Sequence, residues 1–311
     1  MGTDKEAGSG TLAAVSNELA GAVELAGKSI VAVRARRHVA AAGIVWGPGV
    51  VVTADHVIQH EEDITLVLPS GQEVKATLAG RDAGTDLAVL RVDHADLTPA
   101  SIGDSAALRV GQLALAVGRP GGAGLSASLG IVSAISGSWR TWKGGTVDAL
   151  IKVDLTLYPG FSGGPLVDAT GRVVGLNTSG LSRGTALAIP TSTIARVSAA
   201  LLARGRISRG YLGVGLQPVR LPEELARGLS LSQGGGLMLI SVEEKGPGAN
   251  GGLLLGDILI TLGEKAVDDT NQVQDQLGPE SVGVGIAARV IRGGALHAVT
   301  LTIGERQETR R

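Results

Sequence analysis

The chain has 311 residues, with three Trp, two Tyr and one Phe against 48 Gly, so its apolar fraction of 44% consists mostly of Ala, Val, Leu and Ile. Charged residues make up 18% and the formal net charge is -1, which provides no excess charge for binding nucleic acid or an anionic membrane and argues against disorder. The length allows roughly two domains, and the absence of cysteine excludes disulfides, thiolate metal sites and thiol nucleophiles.

Residues 1–19 are predicted to form an N-terminal leader or helix. Met1–Gly10 is polar and expected to be disordered, whereas Leu12–Leu25 carries apolar residues at the spacing of an amphipathic helix. The start lacks the basic-then-apolar order of a signal peptide, and no window has the ~20 apolar residues of a membrane span. Either the protein is cytoplasmic, or a leader is missing from this sequence.

Residues 20–190 are predicted to form a first domain of many short strands, which is typical of closed barrels or a sandwich. Pro69-Ser70-Gly71 lies between Ile64–Leu68 and Glu73–Leu78 and predicts a hairpin, because Pro fixes one turn angle and Gly accepts the other. The other predicted strands are Ile30–Val33, Gly43–Val52, Leu87–Val92, Leu113–Val117, Leu129–Ile135, Leu150–Val153, Val173–Asn177 and Leu187–Ile189.

Residues 191–208 are predicted to be a linker helix. Helix formers fill Thr191–Arg204, Thr191 or Ser192 is suited to cap its start, and Gly205 follows its end. A second strand-rich domain with a short C-terminal tail is predicted over residues 209–311, with one helix over Thr270–Leu277.

A glycine-rich segment, Pro159–Leu166, contains the candidate nucleophile Ser162. A nucleophilic serine needs a tight turn that exposes its hydroxyl and lets neighbouring N–H groups converge on an oxyanion. The same composition is also typical of an ordinary turn. The segment alone therefore does not indicate catalysis, and a general base that could activate Ser162 has to be identified as well.

A serine becomes a good nucleophile when an imidazole accepts its proton and a carboxylate orients that imidazole. Of five histidines, only His56 directly follows a predicted strand, and Asp86 stands at the entrance to the apolar strand that begins at Leu87. Asp55 and Asp82 are less favoured substitutes for Asp86. His56, Asp86 and Ser162 are thus the predicted catalytic residues.

A zinc site is the weaker alternative for the same histidine. His56 and His60 are four residues apart, as in a zinc pair on one helical face. The metalloprotease mechanism needs Glu directly after the first His, and this chain has Val57 there. We therefore expect no metal and no cofactor.

The chain resembles trypsin-like serine proteases of the HtrA (Deg) family, which implies a mainly β fold: a chymotrypsin-like double β-barrel followed by a PDZ domain. In that family the equivalents of His56, Asp86 and Ser162 are general base, orienting acid and nucleophile, and the N–H groups of Gly160 and Ser162 form the oxyanion hole. The resemblance is carried by Thr53–Ile58, Thr85–Leu90, Leu108–Gly111, Gly130–Ser133, Gly160–Leu166 and Ala188–Pro190.

Substrate preference is predicted from the residue six positions before Ser162. In trypsin-like enzymes the residue at that position forms the bottom of the S1 pocket. That residue is Thr156, followed by Leu157, so a buried Lys or Arg side chain would find no countercharge there. We expect cleavage after small or medium aliphatic residues.

The second domain resembles a PDZ domain whose loop binds a peptide's C-terminal carboxylate while the peptide adds a strand to the sheet. Val273 and Leu277, on the predicted helix, are expected to line the groove that holds the peptide. The alternative is that Tyr211 and Leu212 are only core residues of a small β domain. The predicted binding loop consists of Tyr211, Leu212, Gly213 and Val214.

Two bulky residues flank the nucleophile where the family favours Asn. Phe161 and Tyr158 are expected either to stack on substrate or to obstruct the oxyanion hole, so that activity would be low or conditional. Together with Trp139, Trp142 and Tyr211, they would place five of the six aromatic side chains near sites of recognition.

The resemblance implies an ATP-independent endopeptidase of protein quality control that cleaves unfolded polypeptides and binds peptide C-termini. It also implies a homotrimer or higher homo-oligomer and, if a leader is missing, a bacterial envelope, periplasmic or extracellular location. The alternative is a catalytically silent, chaperone-like peptide binder on the same fold.

Overall fold

The computed structural model describes residues 4–36, 39–94, 97–122, 124–141, 143–182 and 184–305. The chain divides between Ile207 and Ser208 into two compact units. Trp142, one of the aromatic residues considered above, lies outside the described residues.

The first unit contains helix α1 (Asp4–Gly27), so the expectation of disorder was wrong for residues 4–10, and residues 1–3 lie outside the described residues. The segment is rich in Ala, Leu and Glu, which are strong helix formers, and its isolated glycines weaken the helix without ending it. Ala22 and Ala26 of α1 are buried, and the helix packs against strands β8 and β13, defined below.

The first sheet has seven antiparallel strands in the order β5-β4-β1-β2-β3-β7-β6 and curls into a half-barrel. The predicted hairpin around Pro69-Ser70-Gly71 is confirmed by the pairing of β4 with β5. The strands are β1 (Ile30–Arg34), β2 (Ala41–Gly47), β3 (Val50–Ala54), β4 (Thr65–Val67), β5 (Glu73–Lys75), β6 (Thr77–Asp82) and β7 (Leu87–Arg91).

The second sheet closes into a barrel in the order β12-β15-β14-β13-β8-β9, and β10 and β11 pair as a separate small hairpin. Aliphatic side chains fill both interiors, as the scarcity of aromatic residues requires. The strands are β8 (Leu113–Gly118), β9 (Ser126–Ser136), β10 (Trp139–Arg140), β11 (Thr146–Val147), β12 (Leu150–Asp154), β13 (Pro165–Asp168), β14 (Val173–Thr178) and β15 (Leu187–Pro190).

Helix α2 (Thr191–Arg204) follows β15 and has the predicted bounds. Its N-cap is Pro190 rather than Thr191 or Ser192, and no side chain caps it. Gly205 ends the helix in the left-handed conformation (φ 74°) that glycine adopts readily.

The second unit is a sheet in the order β17-β18-β19-β21-β22, with short helices and its own core. The helix predicted to reach Leu277 ends earlier, at Gln274. The elements are β16 (Gly210–Tyr211), β17 (Val214–Arg220), α3 (Glu223–Gly228), β18 (Gly235–Val242), α4 (Pro247–Asn250), β19 (Ile258–Leu262), β20 (Lys265–Ala266), α5 (Thr270–Gln274), β21 (Gly285–Arg292), β22 (Ala295–Thr302) and β23 (Gly304–Glu305).

This architecture confirms the mainly β prediction: a chymotrypsin-like pair of a curled half-barrel and a closed barrel, then a smaller β unit. Within the described residues, no helix has the length and apolarity needed to cross a membrane.

Candidate active site

The structure brings Asp86 and His56 into direct contact. His56 Nδ1 lies 2.8 Å from Oδ2 and 3.0 Å from Oδ1 of Asp86, and the His56 backbone N–H donates to Oδ1 at 2.9 Å. An ionised carboxylate only accepts, so Nδ1 carries the proton and the Nε2 of neutral His56 is left to accept one. Asp86 is fully buried, whereas the His56 side chain is 24% exposed.

Two strand ends of the first sheet present this pair. β3 runs into a 3-10 turn, Asp55–Val57, which carries His56, and the neighbouring β7 begins immediately after Asp86. Asp86 has a positive φ of 57°, an uncommon conformation for a residue with a side chain. The preceding turn is fixed by the buried carboxylate of Asp82, which accepts from Thr85 N at 3.0 Å and Thr85 Oγ1 at 2.6 Å.

The second barrel adds residues that the sequence prediction missed. Thr178, at the end of β14, donates a short hydrogen bond from Oγ1 to Oδ2 of Asp86 and accepts the Gly180 N–H at 2.9 Å. A Cβ at Gly180 would stand 2.6 Å from His56 Nδ1 and 2.7 Å from Asp86 Oδ2. The available sequence signal for these residues was the change from apolar to polar residues at the end of β14, where Asn177 and Thr178 are followed by Ser179.

Ser162 reaches His56 through a second hydroxyl. Ser162 Oγ lies 3.1 Å from Ser179 Oγ, which in turn lies 3.4 Å from His56 Nε2. Ser162 is 9% exposed and Ser179 is exposed. Both hydroxyls therefore stand at the open edge of the imidazole, with Ser179 between Ser162 and the base.

The backbone before Ser162 forms a type II turn. Phe161 N donates to Tyr158 O at 3.0 Å, and Gly160, at the third position of the turn, has φ 96°. Because Pro159 holds φ near −65°, the mirror-image turn types are excluded. The N–H groups of Gly160 and Ser162 donate to no acceptor among the described residues, so both are free for an oxyanion.

The turn after Ser162 is anchored on both barrels. Ala42 N, on β2, donates to Ser162 O at 3.1 Å, and Gly163 N donates to Asn177 O at 2.9 Å. Asn177 also donates from Nδ2 to Pro165 O at 2.6 Å. Asn177 was predicted only as a strand residue, and its role at the nucleophile turn was missed.

The Phe161 side chain is buried in the protein, which corrects the expectation that it stacks on substrate. Its side chain is fully buried and packs against Gly118, where an added Cβ would lie 2.8 Å from its ring. Tyr158 is 53% exposed and meets the Phe161 ring edge-on, with centroids 5.5 Å apart. The aromatic pair thus supports the type II turn from its inner side.

The predicted S1 residues lie on the exposed segment after β12. The Thr156 N–H donates to Ser128 Oγ of β9 at 3.2 Å, and Thr156 is exposed while Leu157 is half-buried. His60, the second histidine of the zinc alternative, donates a hydrogen bond from Nδ1 to the Glu62 carbonyl oxygen at 2.8 Å and does not join His56.

A partly buried ion pair joins Arg81 to Asp55, the residue directly before His56. Arg81 Nε donates to Asp55 Oδ1 at 2.5 Å, and the Asp55 side chain is 5% exposed. Burial raises the pKa of Asp55 above its usual value, and the hydrogen bond and charge of Arg81 oppose that rise. Arg81 was not predicted to act in the site, and Asp55 was considered only as a less favoured substitute for Asp86.

In the second unit, the predicted binding loop joins β16 to β17. Gly248 N and Glu243 N donate to the carbonyls of Leu212 and Gly213, both at 2.7 Å. The N–H groups of Leu212 and Gly213 themselves donate to no acceptor in the part of the chain that the structure describes. The loop therefore has free donors suited to a carboxylate.

An unpaired strand edge continues from this loop. β17 pairs with β18 on one side, and along its other side no strand is paired within the described residues. Helix α5 lies beside β17 and contributes Val273, which is buried, while Leu277 follows the helix half-buried. The Leu212 side chain belongs to the hydrophobic core of this unit, as the alternative to peptide binding expected. Only the backbone of Leu212 is therefore a candidate for binding a peptide.

Comparison with known proteins assigns both units. Residues 41–176 match the family "Trypsin-like peptidase domain", and residues 210–303 match the family "PDZ domain". The chain is 35% identical over 275 residues to a "probable periplasmic serine endoprotease DegP-like" of Halomonas elongata, covering 87% of this chain and 57% of that protein. A protein of the same description from Pseudomonas savastanoi pv. phaseolicola is 36% identical over 84% of this chain and 55% of its own length. The chain thus spans little more than half the length of these relatives.

Solved structures match over nearly their whole length. The "HtrA-type protease AlgW with decapeptide" superposes with a TM-score of 0.75 at 30% identity, covering 94% of this chain and 99% of that one. The serine endoprotease from Yersinia pestis gives a TM-score of 0.75 at 28% identity, covering 93% and 98%.

Proposed function

The chain belongs to the HtrA family of trypsin-like serine proteases with a C-terminal PDZ domain, and we propose that it is an active serine endoprotease whose nucleophile is Ser162. The observation that carries the proposal is the type II turn at Gly160. With φ at 96° for Gly160, the N–H groups of Gly160 and Ser162 have no acceptor among the described residues. A silent protease fold has no need for such an arrangement.

The reaction follows the chemistry of the bonded groups. As Ser162 Oγ attacks the scissile carbonyl, its proton passes to His56 Nε2, and the imidazolium so formed is stabilised by Asp86. The carbonyl oxygen becomes an oxyanion held by the two free N–H groups. His56 then gives its proton to the leaving amine, and water hydrolyses the acyl-enzyme by the same steps.

Ser179 is not the nucleophile in this proposal, although its hydroxyl is the one nearest to His56 Nε2. Ser179 stands beyond the last residue of β14, whereas Ser162 stands in the turn with the free donors. Direct proton transfer from Ser162 requires the Ser179 hydroxyl to rotate out of its bridging position at 3.1 Å from Ser162 Oγ. Ser179 is exposed, so its hydroxyl can turn towards solvent.

Fluorophosphonate labelling followed by peptide mapping tests the assignment. We expect the probe on Ser162, complete loss of labelling in Ser162→Ala, and retained labelling in Ser179→Ala. Label on Ser179, or loss of labelling in Ser179→Ala alone, would transfer the nucleophile to that residue. No labelling with or without a PDZ-binding peptide would favour the chaperone-like binder.

We extend the proposal to substrates through the uncharged S1 position. Thr156 and Leu157 offer no carboxylate to a basic P1 side chain, so unfolded polypeptides would be cut after small or medium aliphatic residues. Peptides with Val, Ala or Leu at P1 should be cleaved faster than the matched Arg peptide. Faster cleavage of the Arg peptide would contradict this preference.

The second unit would bind peptide C-termini. The free N–H groups of Leu212 and Gly213 would donate hydrogen bonds to the carboxylate, and the peptide would pair with the free edge of β17. The peptide-bound AlgW structure is a relative in which a decapeptide is present. A free-acid peptide should bind this chain and its C-terminal amide should not. Relatives described as periplasmic favour the bacterial envelope as the location. Assembly into a homotrimer or higher homo-oligomer is also part of this proposal.

A further inference from the structure

The end of strand β6 supports both halves of the His56–Asp86 pair. Two successive residues of this strand, Arg81 and Asp82, point to opposite faces of the sheet. Asp82 fixes the turn before Asp86, through hydrogen bonds from the N–H groups of Gly84 at 3.3 Å and of Thr85 at 3.0 Å. Arg81 extends in the other direction, to the turn that carries His56.

Arg81 crosses one intervening strand to reach that turn. Arg81 is paired with Ala88 of β7, which is paired with Thr53 of β3, so two strand spacings of about 4.8 Å separate β6 from β3. The long Arg side chain covers this distance. Its Nε donates to Asp55 Oδ1 at 2.5 Å, its Nη2 donates to the Asp55 carbonyl at 3.2 Å, and its Nη1 lies 3.4 Å from Glu61 Oε1.

The turn held by Arg81 is the same backbone that binds Asp86. Asp55 N donates to the Asp86 carbonyl at 3.0 Å, and the next N–H, that of His56, donates to Asp86 Oδ1 at 2.9 Å. The Asp55 side chain and carbonyl are thus held by Arg81, while its N–H is held by Asp86. A shift of this turn would move the His56 ring relative to both Asp86 and Ser162.

We propose that Arg81 is a positioning residue for the general base, acting through Asp55 to fix the turn on which His56 stands. The proposal rests on the proposed function, because it concerns the efficiency of the same His56. Without Arg81, the Asp55 carboxylate would remain buried without its main partner and close to the Asp86 charge. The turn would then relax towards solvent.

Position 81 requires Arg because the planar guanidinium group can donate two hydrogen bonds to Asp55 at the same time. The planar N–H groups reach the carboxylate and the carbonyl of Asp55 at once, whereas a Lys ammonium is a point charge on a shorter stem. Arg81→Lys should therefore keep the charge and lose the second hydrogen bond. A graded effect, with Lys between Arg and Ala, distinguishes positioning by the fork from simple charge neutralisation.

The test measures kcat and KM on an aliphatic-P1 peptide, and the fluorophosphonate inactivation rate, well below the unfolding temperature. We expect Arg81→Ala to lower kcat and the inactivation rate by about 10- to 100-fold with little change in KM, and Arg81→Lys to lower them by about 3- to 10-fold. Arg172→Ala is the matched control, since it removes an exposed Arg–Asp pair from the same unit. It should leave both rates unchanged.

Chemical rescue separates positioning from folding. Methylguanidinium at roughly tens of millimolar, far below denaturing concentrations, should restore part of the lost kcat in Arg81→Ala and should do nothing for wild type or Arg172→Ala. If Arg81→Ala fails to fold, Arg81→Lys carries the test. Wild-type kcat in the folded Arg81 variants, or rescue of stability without rescue of kcat, would overturn the proposal. Absence of labelling in the wild type would instead contradict the proposed function itself.

Discussion

The two units build their sites from different parts of the chain. In the first unit, side chains from both barrels converge, and Asp86 alone accepts from the ring and backbone of His56 and from Thr178. In the second unit, the site is backbone: the free N–H groups of a loop and the unpaired edge of β17. Chemistry needs specific side-chain functional groups, whereas strand addition needs only donors, acceptors and access. Single side-chain substitutions should therefore have much larger effects in the first unit.

Loss of the Asp86 charge should give the largest effect. Asp86→Asn keeps the shape of the side chain but replaces an acceptor with an amide that favours the wrong His56 tautomer, so kcat/KM should fall by about 10³- to 10⁴-fold. Asp63→Asn is the matched control, because Asp63 has the same left-handed backbone (φ 56°) but its side chain is 89% exposed. Peptide hydrolysis by Asp86→Asn within a few fold of wild type would contradict the proposed triad.

A backbone change at the oxyanion turn should come next. Gly160→Ala strains φ 96° and places a Cβ 3.0 Å from the Ala40 carbonyl oxygen and 3.1 Å from Pro120 Cβ, so the turn must shift. Losing one oxyanion donor lowers kcat by about 10²- to 10³-fold. Gly71→Ala is the control, since Gly71 also has a positive φ, 87°, but has open space around it. Equal effects of the two changes on kcat would show that strain alone, and not the position of the donors, is being measured.

Local sequence patterns were sufficient to propose candidate residues for the site. His56 after a strand, Asp86 before one and Ser162 in a Gly-rich turn could be singled out because each is defined by its local surroundings, and their catalytic roles stay predictions. The hairpin at Pro69-Ser70-Gly71 and the helix ending at Gly205 were predicted correctly for the same reason.

Residues that act across the sheet could not be found in this way. Arg81 is separated from Asp55 by 26 positions and by one strand, and Thr178 is 92 positions from Asp86, so no local pattern joins them. Phe161 was misjudged because its neighbour in sequence is the nucleophile, whereas its neighbour in space is Gly118. The order of strands in the sheets decides such contacts, and that order is a property of the whole fold.

The binding loop of the second unit should show a moderate effect. Gly213→Ala strains a φ of 68° and brings a Cβ to 3.0 Å from Glu243 Oε2, which should weaken binding of a free-acid peptide by about 5- to 30-fold. Gly256→Ala, with φ 86° and open surroundings, is the control in the same unit. Isothermal titration on the whole chain measures both. Unchanged affinity in Gly213→Ala, or an equal loss in Gly256→Ala, would remove the loop from the proposed peptide site.

The smallest effect expected is a pH-dependent one in the core of the second unit. Asp257 is buried, which alone would raise its pKa, but hydrogen bonds from Arg292 at 2.8 and 2.7 Å and from Leu254 N at 2.9 Å hold that pKa below its usual value. A carboxylate with a lowered pKa in the folded state stabilises the fold above the unfolded-state pKa of about 4, and this stabilisation is lost as the pH falls through the folded value. Asp257→Asn should therefore lower stability at neutral pH, and its difference from wild type should shrink below about pH 4. Urea denaturation of the whole chain, followed through the methyl NMR signals of the second unit, measures this difference at each pH. A stability difference between Asp257→Asn and wild type that stays constant on acidification would show that Asp257 acts through packing rather than charge. As a control, peptide hydrolysis by the first unit at neutral pH should be the same in Asp257→Asn and wild type.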